Sequence, residues 1–167
     1  MTIQIGVVGG SEATEQTESG AELIGAALAS AGAVVVCGGL GGVMAAACRG
    51  AKSAGGLTVG LLPGRDPAAA NPWVEVVVPT GLGEARNALV VSASSAVIAV
   101  GGAYGTLSEI ALALRWGIPV IGVGTWALHR PDGGRDRGIV AVADPAAAAV
   151  EAIRLARRTT GPTPPLP

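Results

Sequence analysis

The sequence predicts an α/β fold in three layers, with helices packed on both faces of a central parallel sheet. Three observations predict it. Short, continuous apolar runs alternate with Ala-rich amphipathic stretches, the pattern of strands buried on both faces and linked by helices. Half of the 167 residues are hydrophobic, yet Trp73, Tyr104, Trp116 and Trp126 are the only aromatic ones, so the apolar content is mainly Ala, Val, Leu and Ile. Clusters among the 27 glycines close several of the apolar runs, where glycine lets backbone approach backbone or ligand. Together these describe a Rossmann-like sandwich in one domain, residues 1–158, with a Pro-rich flexible tail over 159–167.

Each element follows from local pattern. Ile3 to Val8 reads as a buried strand ending in Gly9-Gly10-Ser11, and Ala21 to Ala31 as an amphipathic helix stopped near Gly32. Ala33 to Cys37 is the second strand, followed directly by Gly38-Gly39-Leu40-Gly41-Gly42 and an Ala-rich helix from Val43 to Ala54. Leu57 to Leu62 is the third strand, closed by Pro63-Gly64. Arg65 to Pro72 reads as a loop before a fourth strand, Val74 to Val78. Pro79-Thr80-Gly81-Leu82-Gly83 then opens a helix from Glu84 to Ala93. The fifth strand, Ala96 to Val100, meets Gly101-Gly102-Ala103-Tyr104-Gly105-Thr106 and a helix from Leu107 to Arg115. A strand over Pro119 to Val123, a charged surface loop over His129 to Arg137, an edge strand over Ile139 to Val142 and a helix over Pro145 to Arg158 complete the domain.

Several function classes fall away. With 11 basic and 12 acidic residues and a formal net charge of −1, no basic field attracts nucleic acid and no aromatic series stacks bases. Leu23 to Cys48 carries no charge, and Ala88 to Leu114 carries only Glu109. Glycine clusters interrupt both stretches, and such loops at bilayer depth would leave backbone groups unsatisfied, so no membrane span is expected. No cationic region precedes the first apolar run, and Cys37 and Cys48 lack metal-ligand spacing; a cytoplasmic protein with two buried thiols and no metal is the expectation.

In a parallel sheet, ligands bind beyond the carboxyl ends of the strands. Gly10 and Ser11, Gly38 to Gly42, Thr80 and Gly81, and Gly102 to Thr106 all lie at such ends and are expected to converge on one edge. A glycine-rich turn into a helix points free N–H groups at its guest, and the helix dipole adds partial positive charge, which suits a phosphate. Gly102, Ala103, Tyr104, Gly105 and Thr106 have that form. Glu109 lies one helical turn further on, where a carboxylate would repel phosphate and so addresses a sugar or water. Arg86, after another strand end, either neutralises the phosphate or the carboxylate or forms a structural ion pair with Glu109. Glu84 and Asn87 are weaker candidates, each equally readable as a helix-start residue.

Other chemistries do not fit. Val8-Gly9-Gly10-Ser11-Glu12 is not a G-x-G-x-x-G dinucleotide turn, and the second strand ends in Gly38-Gly39 rather than an acid for a ribose. Gly50-Ala51-Lys52-Ser53 resembles a P-loop only superficially. Lys52, the sole lysine, lies late in a helix, poorly placed for a pyridoxal Schiff base, and the sole histidine, His129, lies in a charged loop.

The motifs resemble those of the Lonely-guy (LOG) family, once described as possible lysine decarboxylases, within a wider group that includes DNA-processing protein A. Cys37-Gly38-Gly39-Leu40-Gly41-Gly42-Val43-Met44 resembles the family's GGGxxGLM, and Gly101 to Glu109 resembles its PGGxGTxxE; Arg86 takes the position of its catalytic arginine. The resemblance implies hydrolysis of the N-glycosidic bond of a cytokinin riboside 5′-monophosphate, with no cofactor. On that carry-over Gly102–Thr106 holds the 5′-phosphate, Glu109 and Arg86 act at the ribose, and Gly38, Gly39, Gly41 and Met44 flank the nucleotide. It also implies a homodimer or homotetramer.

Four positions depart from the pattern: Gly101 replaces its proline, Ala103 its second glycine, Ser108 an acid, and Asn87 the lysine after the arginine. The string Pro79 to Asn87 is closer to a shorter subgroup that contains molybdenum-cofactor carrier proteins, whose ligand is a phosphorylated pterin. Two functions therefore stand: a nucleoside 5′-monophosphate phosphoribohydrolase, or a non-catalytic carrier of a nucleotide or of the molybdenum cofactor.

Overall fold

The structure is a computed structural model and describes residues 2–159. Seven strands form one sheet: β1 (Gln4–Gly9), β2 (Val34–Cys37), β3 (Thr58–Leu62), β4 (Val76–Pro79), β5 (Ala96–Val100), β6 (Val120–Val123) and β7 (Ile139–Ala141). Their spatial order is β4-β3-β2-β1-β5-β6-β7, and every neighbouring pair is parallel. Five α-helices cover it: α1 (Glu15–Ser30), α2 (Val43–Ser53), α3 (Asn87–Ser92), α4 (Tyr104–Arg115) and α5 (Pro145–Thr159). The expected three-layer α/β architecture is borne out.

Strand alternation divides the core in two. Ile5 and Val7 of β1, Val35 of β2 and Ile98 of β5 point to one face, where they pack with Ile24, Leu28, Ala47 and Ala152 from α1, α2 and α5. Val8, Val36, Val97 and Ala99 point to the other, against Val90, Val91, Ile110 and Ala113 of α3 and α4. β5 is buried at every position, as a central strand covered on both faces must be. Among the described residues no helix is long and apolar enough to cross a membrane.

Element boundaries differ from the sequence expectation at several places. α1 starts at Glu15 rather than Ala21, because Thr14 caps it by accepting a hydrogen bond from the Thr17 N–H, and Glu15 and Glu18 suit its positive end. The helix expected from Glu84 splits into a 3₁₀ turn, Gly83–Arg86, and the short α3. α4 starts at Tyr104 instead of Leu107, so Gly105 and Thr106 lie inside its first turn. The loop after β3 contains a 3₁₀ turn over Pro67–Ala69, capped by Asp66. α5 runs on to Thr159; the remainder of the expected 159–167 tail lies outside the described residues.

Strand order reverses between β1 and β5. From β1 the chain moves outward through β2, β3 and β4, then returns to place β5 on the opposite side of β1. The loops leaving β1 and β5 therefore diverge at their carboxyl ends and open a crevice.

Candidate functional site

The crevice holds a cavity of about 340 Å³. Val8, Gly9, Gly10 and Ser11 line it from β1, Gly38, Leu40 and Met44 from β2 and α2, Pro63 from β3, Glu84, Arg86 and Asn87 from the 3₁₀–α3 corner, and Ala103, Gly105 and Glu109 from the β5–α4 junction.

Two helices point their amino ends toward this region. α4 begins after Ala103 and α2 after Gly42, and no side chain caps either one. The first-turn N–H groups of a helix have no partner within it, so an uncapped start is available to an anion. Gly42 has φ +58°, and a Cβ there would stand 2.4 Å from the Gly10 carbonyl oxygen. That same carbonyl accepts the Val43 N–H at 3.1 Å, so the first and second glycine loops are fastened to each other.

Arg86 and Glu109 are brought together as a buried pair, with fractional exposures of 8% and 5%. Their closest approach is 3.5 Å, from Arg86 Nη1 to Glu109 Oε1. Burial pushes the Glu109 carboxyl up to about 7, against the opposing pull of the Arg86 charge. Arg86 Nε is the only buried side-chain polar atom among the described residues with no hydrogen-bond partner. An orphaned buried donor is costly unless something accepts from it, and here it belongs to a residue that lines the cavity.

Asn87 organises the pair. Its Oδ1 accepts a short hydrogen bond from Arg86 Nη1, while its Nδ2 donates to Ser108 Oγ at 3.0 Å. Ser108 Oγ in turn donates to the Gly105 carbonyl at 2.6 Å. A hydrogen-bonded chain thus runs from the guanidinium to the first turn of α4. Asn87 and Ser108, two of the four departures from the LOG pattern, are partners in the fold.

The other expected residues separate into two groups. Gly10, Ser11, Gly38, Met44, Ala103 and Gly105 line the cavity as anticipated, whereas Gly39, Gly41, Thr80, Gly81, Gly102, Tyr104 and Thr106 stand outside its lining. Thr80 donates its hydroxyl to the Leu62 carbonyl and accepts the Leu82 N–H, so it fixes the turn after β4. Gly81 has φ +68° and lies against Arg65. Gly39 has φ +77° and a carbonyl held by Asn71; Gly41 abuts the Ser11 carbonyl. The Gly102 Cα packs over the buried Thr106 side chain, and Tyr104 points outward, 80% exposed.

Pro63 lines the cavity although no motif includes it, and Leu40 enters as part of the Gly38 to Gly42 loop. Pro63 directly follows β3, so the strand-end rule that flagged the glycine loops carried the signal for it as well. Glu84 and Asn87, the weaker candidates, are both present. Cys37 and Cys48 are free and buried as expected. Their sulfurs lie 3.5 Å apart, and with Met44 they form a small cluster beneath the second glycine loop.

Residues 2–151 match the SLOG cluster4 family. The chain belongs to this family. The resemblance to the LOG group, read from the two glycine motifs, and to its short subgroup, read from the string Pro79 to Asn87, is borne out. An uncharacterized protein from Archaeoglobus fulgidus is 48% identical over 115 residues, which cover 69% of this chain and 76% of that one. The molybdenum cofactor binding protein of the phototrophic bacterium Rippkaea orientalis is 34% identical, with a TM-score of 0.81 over 92% of this chain and 96% of its own. The molybdenum cofactor carrier protein of Chlamydomonas reinhardtii is also 34% identical, with a TM-score of 0.80 over 93% and 98%. These two relatives thus match this SLOG cluster4 protein over nearly their full lengths.

Proposed function

We propose that this SLOG cluster4 protein is a non-catalytic carrier that binds a phosphorylated pterin, the organic part of the molybdenum cofactor. The observation that carries the reading is the site's polar set, an orphaned Arg86 Nε beside uncapped helix starts, in a chain similar throughout to two molybdenum cofactor proteins. The N–H groups opening α4 and the Arg86 guanidinium would hold the phosphate. Gly10, Gly38, Leu40 and Met44 line the cavity without a charged side chain and would face the ring system.

The Asn87–Ser108 pair supports a carrier over a hydrolase. The LOG pattern places a lysine and an acid at these two positions, and this chain has two neutral groups bonded to each other. Glu109, pushed up to about 7 by burial, is then substantially protonated at neutral pH. In that form it can donate a hydrogen bond to a ligand, but it stabilises a developing oxocarbenium charge less well than a carboxylate would.

One observation favours the second reading, a nucleoside 5′-monophosphate phosphoribohydrolase: Arg86 and Glu109 are both retained and lie in one cavity. Incubation of pure protein with AMP and with cytokinin riboside monophosphates, following release of free base, separates the two. A carrier releases none and co-purifies with a pterin detectable by fluorescence after oxidation. Base release that is lost in Glu109→Gln would reverse the assignment.

Gly38→Ala offers an independent check on the phosphate reading. A Cβ there would lie 2.4 Å from Arg86 Nη2 and 2.8 Å from Met44 Sδ, both at the mobile ends of side chains. The guanidinium is expected to be displaced from its Asn87 and Glu109 partners, so the variant should also lose stability while it still folds. AMP binding measured by calorimetry should weaken at least roughly tenfold, the effect of losing one charge-assisted hydrogen bond of about 1.5 kcal/mol or more. Unchanged affinity would remove Arg86 from the phosphate site.

For the assembly, the family resemblance proposes a homodimer or homotetramer. Val76 and Val78 of β4 lie on the α3–α4 face of the sheet and remain exposed together with Leu82 and Leu89, an apolar surface suited to such an interface. Sedimentation of the pure protein tests it.

A further inference from the structure

Beyond Gly102 lies a second depression that the phosphate reading does not use. It has a volume of about 440 Å³ and is lined by Gly101, Gly102, Gly124, Thr125 and Trp126, at the carboxyl ends of β5 and β6. Its geometry is held from two sides. Thr125 Oγ1 donates to the Gly101 carbonyl, and Trp126 Nε1 donates to the Ala103 carbonyl at 3.3 Å. Trp126 is therefore tied to the residue that caps α4 and lines the main cavity.

Gly102 lines one hollow and the adjacent Ala103 the other, and Tyr104 follows them in the chain. It is the first residue of α4 and stands between Ala103 and Gly105, both walls of the main cavity. Its ring leans on Trp126, with centroids 5.8 Å apart and planes inclined at 35°. In a chain with four aromatic residues, two are paired at the amino end of the helix that faces the ligand, and Tyr104 stays 80% exposed. The three glycines of the depression present bare backbone on which a flat ring can lie, and the aromatic edge gives it a stacking partner. The main cavity, about 340 Å³, is at the small end of ligand pockets, which run from about 300 to 1,000 Å³.

We propose that the Trp126–Tyr104 pair and the Gly101–Gly102–Gly124 floor form a second subsite for a planar heteroaromatic group, so that the preferred ligand is two-headed: one ring system in the main cavity, a bridging phosphate group at the start of α4, and a second ring on Trp126. The chemical class is a dinucleotide-like compound, two heterocycles joined through a diphosphate. This assignment rests on the phosphate reading of the main cavity and names the far end of the same ligand.

Calorimetric titration with ADP and with diadenosine 5′,5′-diphosphate tests it, since both carry two phosphates and only one carries a second base. The dinucleotide is expected to bind roughly 5- to 150-fold more tightly, the range that one base–aromatic stack supplies. Trp126→Leu should abolish that advantage, read as the ratio of the two affinities, and Trp126→Phe, which keeps a ring, should restore most of it. Equal affinity of the wild type for both ligands overturns the proposal, as does equal weakening of both by Trp126→Leu. If neither compound binds the wild type, the phosphate reading itself fails and the subsite falls with it. A Trp126→Leu protein that loses oligomer mass, from a wild type with no dinucleotide preference, assigns the face to a second copy of the chain and likewise overturns the proposal.

Discussion

Gly25→Ala is expected to lower the melting temperature by roughly 4–8 °C, although alanine is the better helix former. Gly25 sits in α1 where the helix crosses α2, and a Cβ there would lie 1.9 Å from the Ala47 carbonyl oxygen and 2.8 Å from its carbon. The contact is reciprocal. A Cβ on Gly50 of α2 would lie 1.9 Å from the Glu22 carbonyl oxygen. Both obstacles are backbone, so no rotamer change relieves them and the helices must move apart. Separation opens gaps among Ala21, Ile24, Leu28, Ala47 and Ala51, which are fully buried between the helices and the sheet. Overpacking of this kind costs about 1–3 kcal/mol or more, whereas replacing a helical glycine by alanine contributes about 1 kcal/mol in the other direction. The clash dominates. With the obstacle rigid the overpacking cost is taken at the upper end, so the net loss is about 2 kcal/mol, and at roughly 2–4 °C per kcal/mol for a domain of this size the temperature shift follows. Thermal unfolding of Gly25→Ala and Gly50→Ala measures it; a variant as stable as the wild type would show that the two helices do not touch at these glycines.

Glu109→Gln is expected to act in the opposite direction, and only at higher pH. The folded-state value of Glu109 is raised from an ordinary 4.5 to about 7, mainly by burial, with the Arg86 charge already offsetting part of it. The native state therefore keeps a proton that the unfolded chain releases between those limits. The stability contributed by the protonated carboxyl is complete below pH 4.5 and is lost as pH rises through 7. At 1.36 kcal/mol per pH unit the window spans roughly 3 kcal/mol. Glutamine is neutral throughout and cannot incur this loss. Melting curves of the two proteins should coincide near pH 4.5 and diverge up to pH 8, where the variant should lead by roughly 6–12 °C. If Glu109→Gln is instead less stable at pH 8, the Arg86–Glu109 attraction outweighs desolvation and the carboxylate is ionised in the native protein. The expected gain has a functional meaning: a polar group kept in a buried cavity at a cost in stability is typical of a binding site.

Much of this architecture was legible because it depends on local pattern. Runs such as Ala96 to Val100 are buried along their whole length and cannot be half-exposed edges, so their apolar continuity identified a parallel sheet. The glycine clusters marked strand ends correctly, and the strand-end rule placed Gly10, Gly38 and Gly105 around one cavity. Helix starts were less legible. A first turn has few periodic apolar residues, so apolar periodicity starts α1 and α4 several residues late; the Thr14 cap is the local mark of where α1 begins. The Gly83–Arg86 3₁₀ turn carries no sequence mark that separates it from the first turn of an α-helix.

The sequence by itself determined the layer order of the fold, the convergence of the glycine loops and the presence of Arg86 and Glu109 near them, because periodicity, glycine spacing and motif are properties of neighbouring residues. Only the tertiary structure decided which strand-end residues share the cavity, turning Thr80 and Tyr104 away and admitting Leu40 and Pro63. It also decided that Asn87 and Ser108, 21 positions apart, bond to each other, and that burial lifts Glu109 toward neutrality. Those outcomes depend on the distance and dielectric between groups remote in sequence, and only the packed chain sets both.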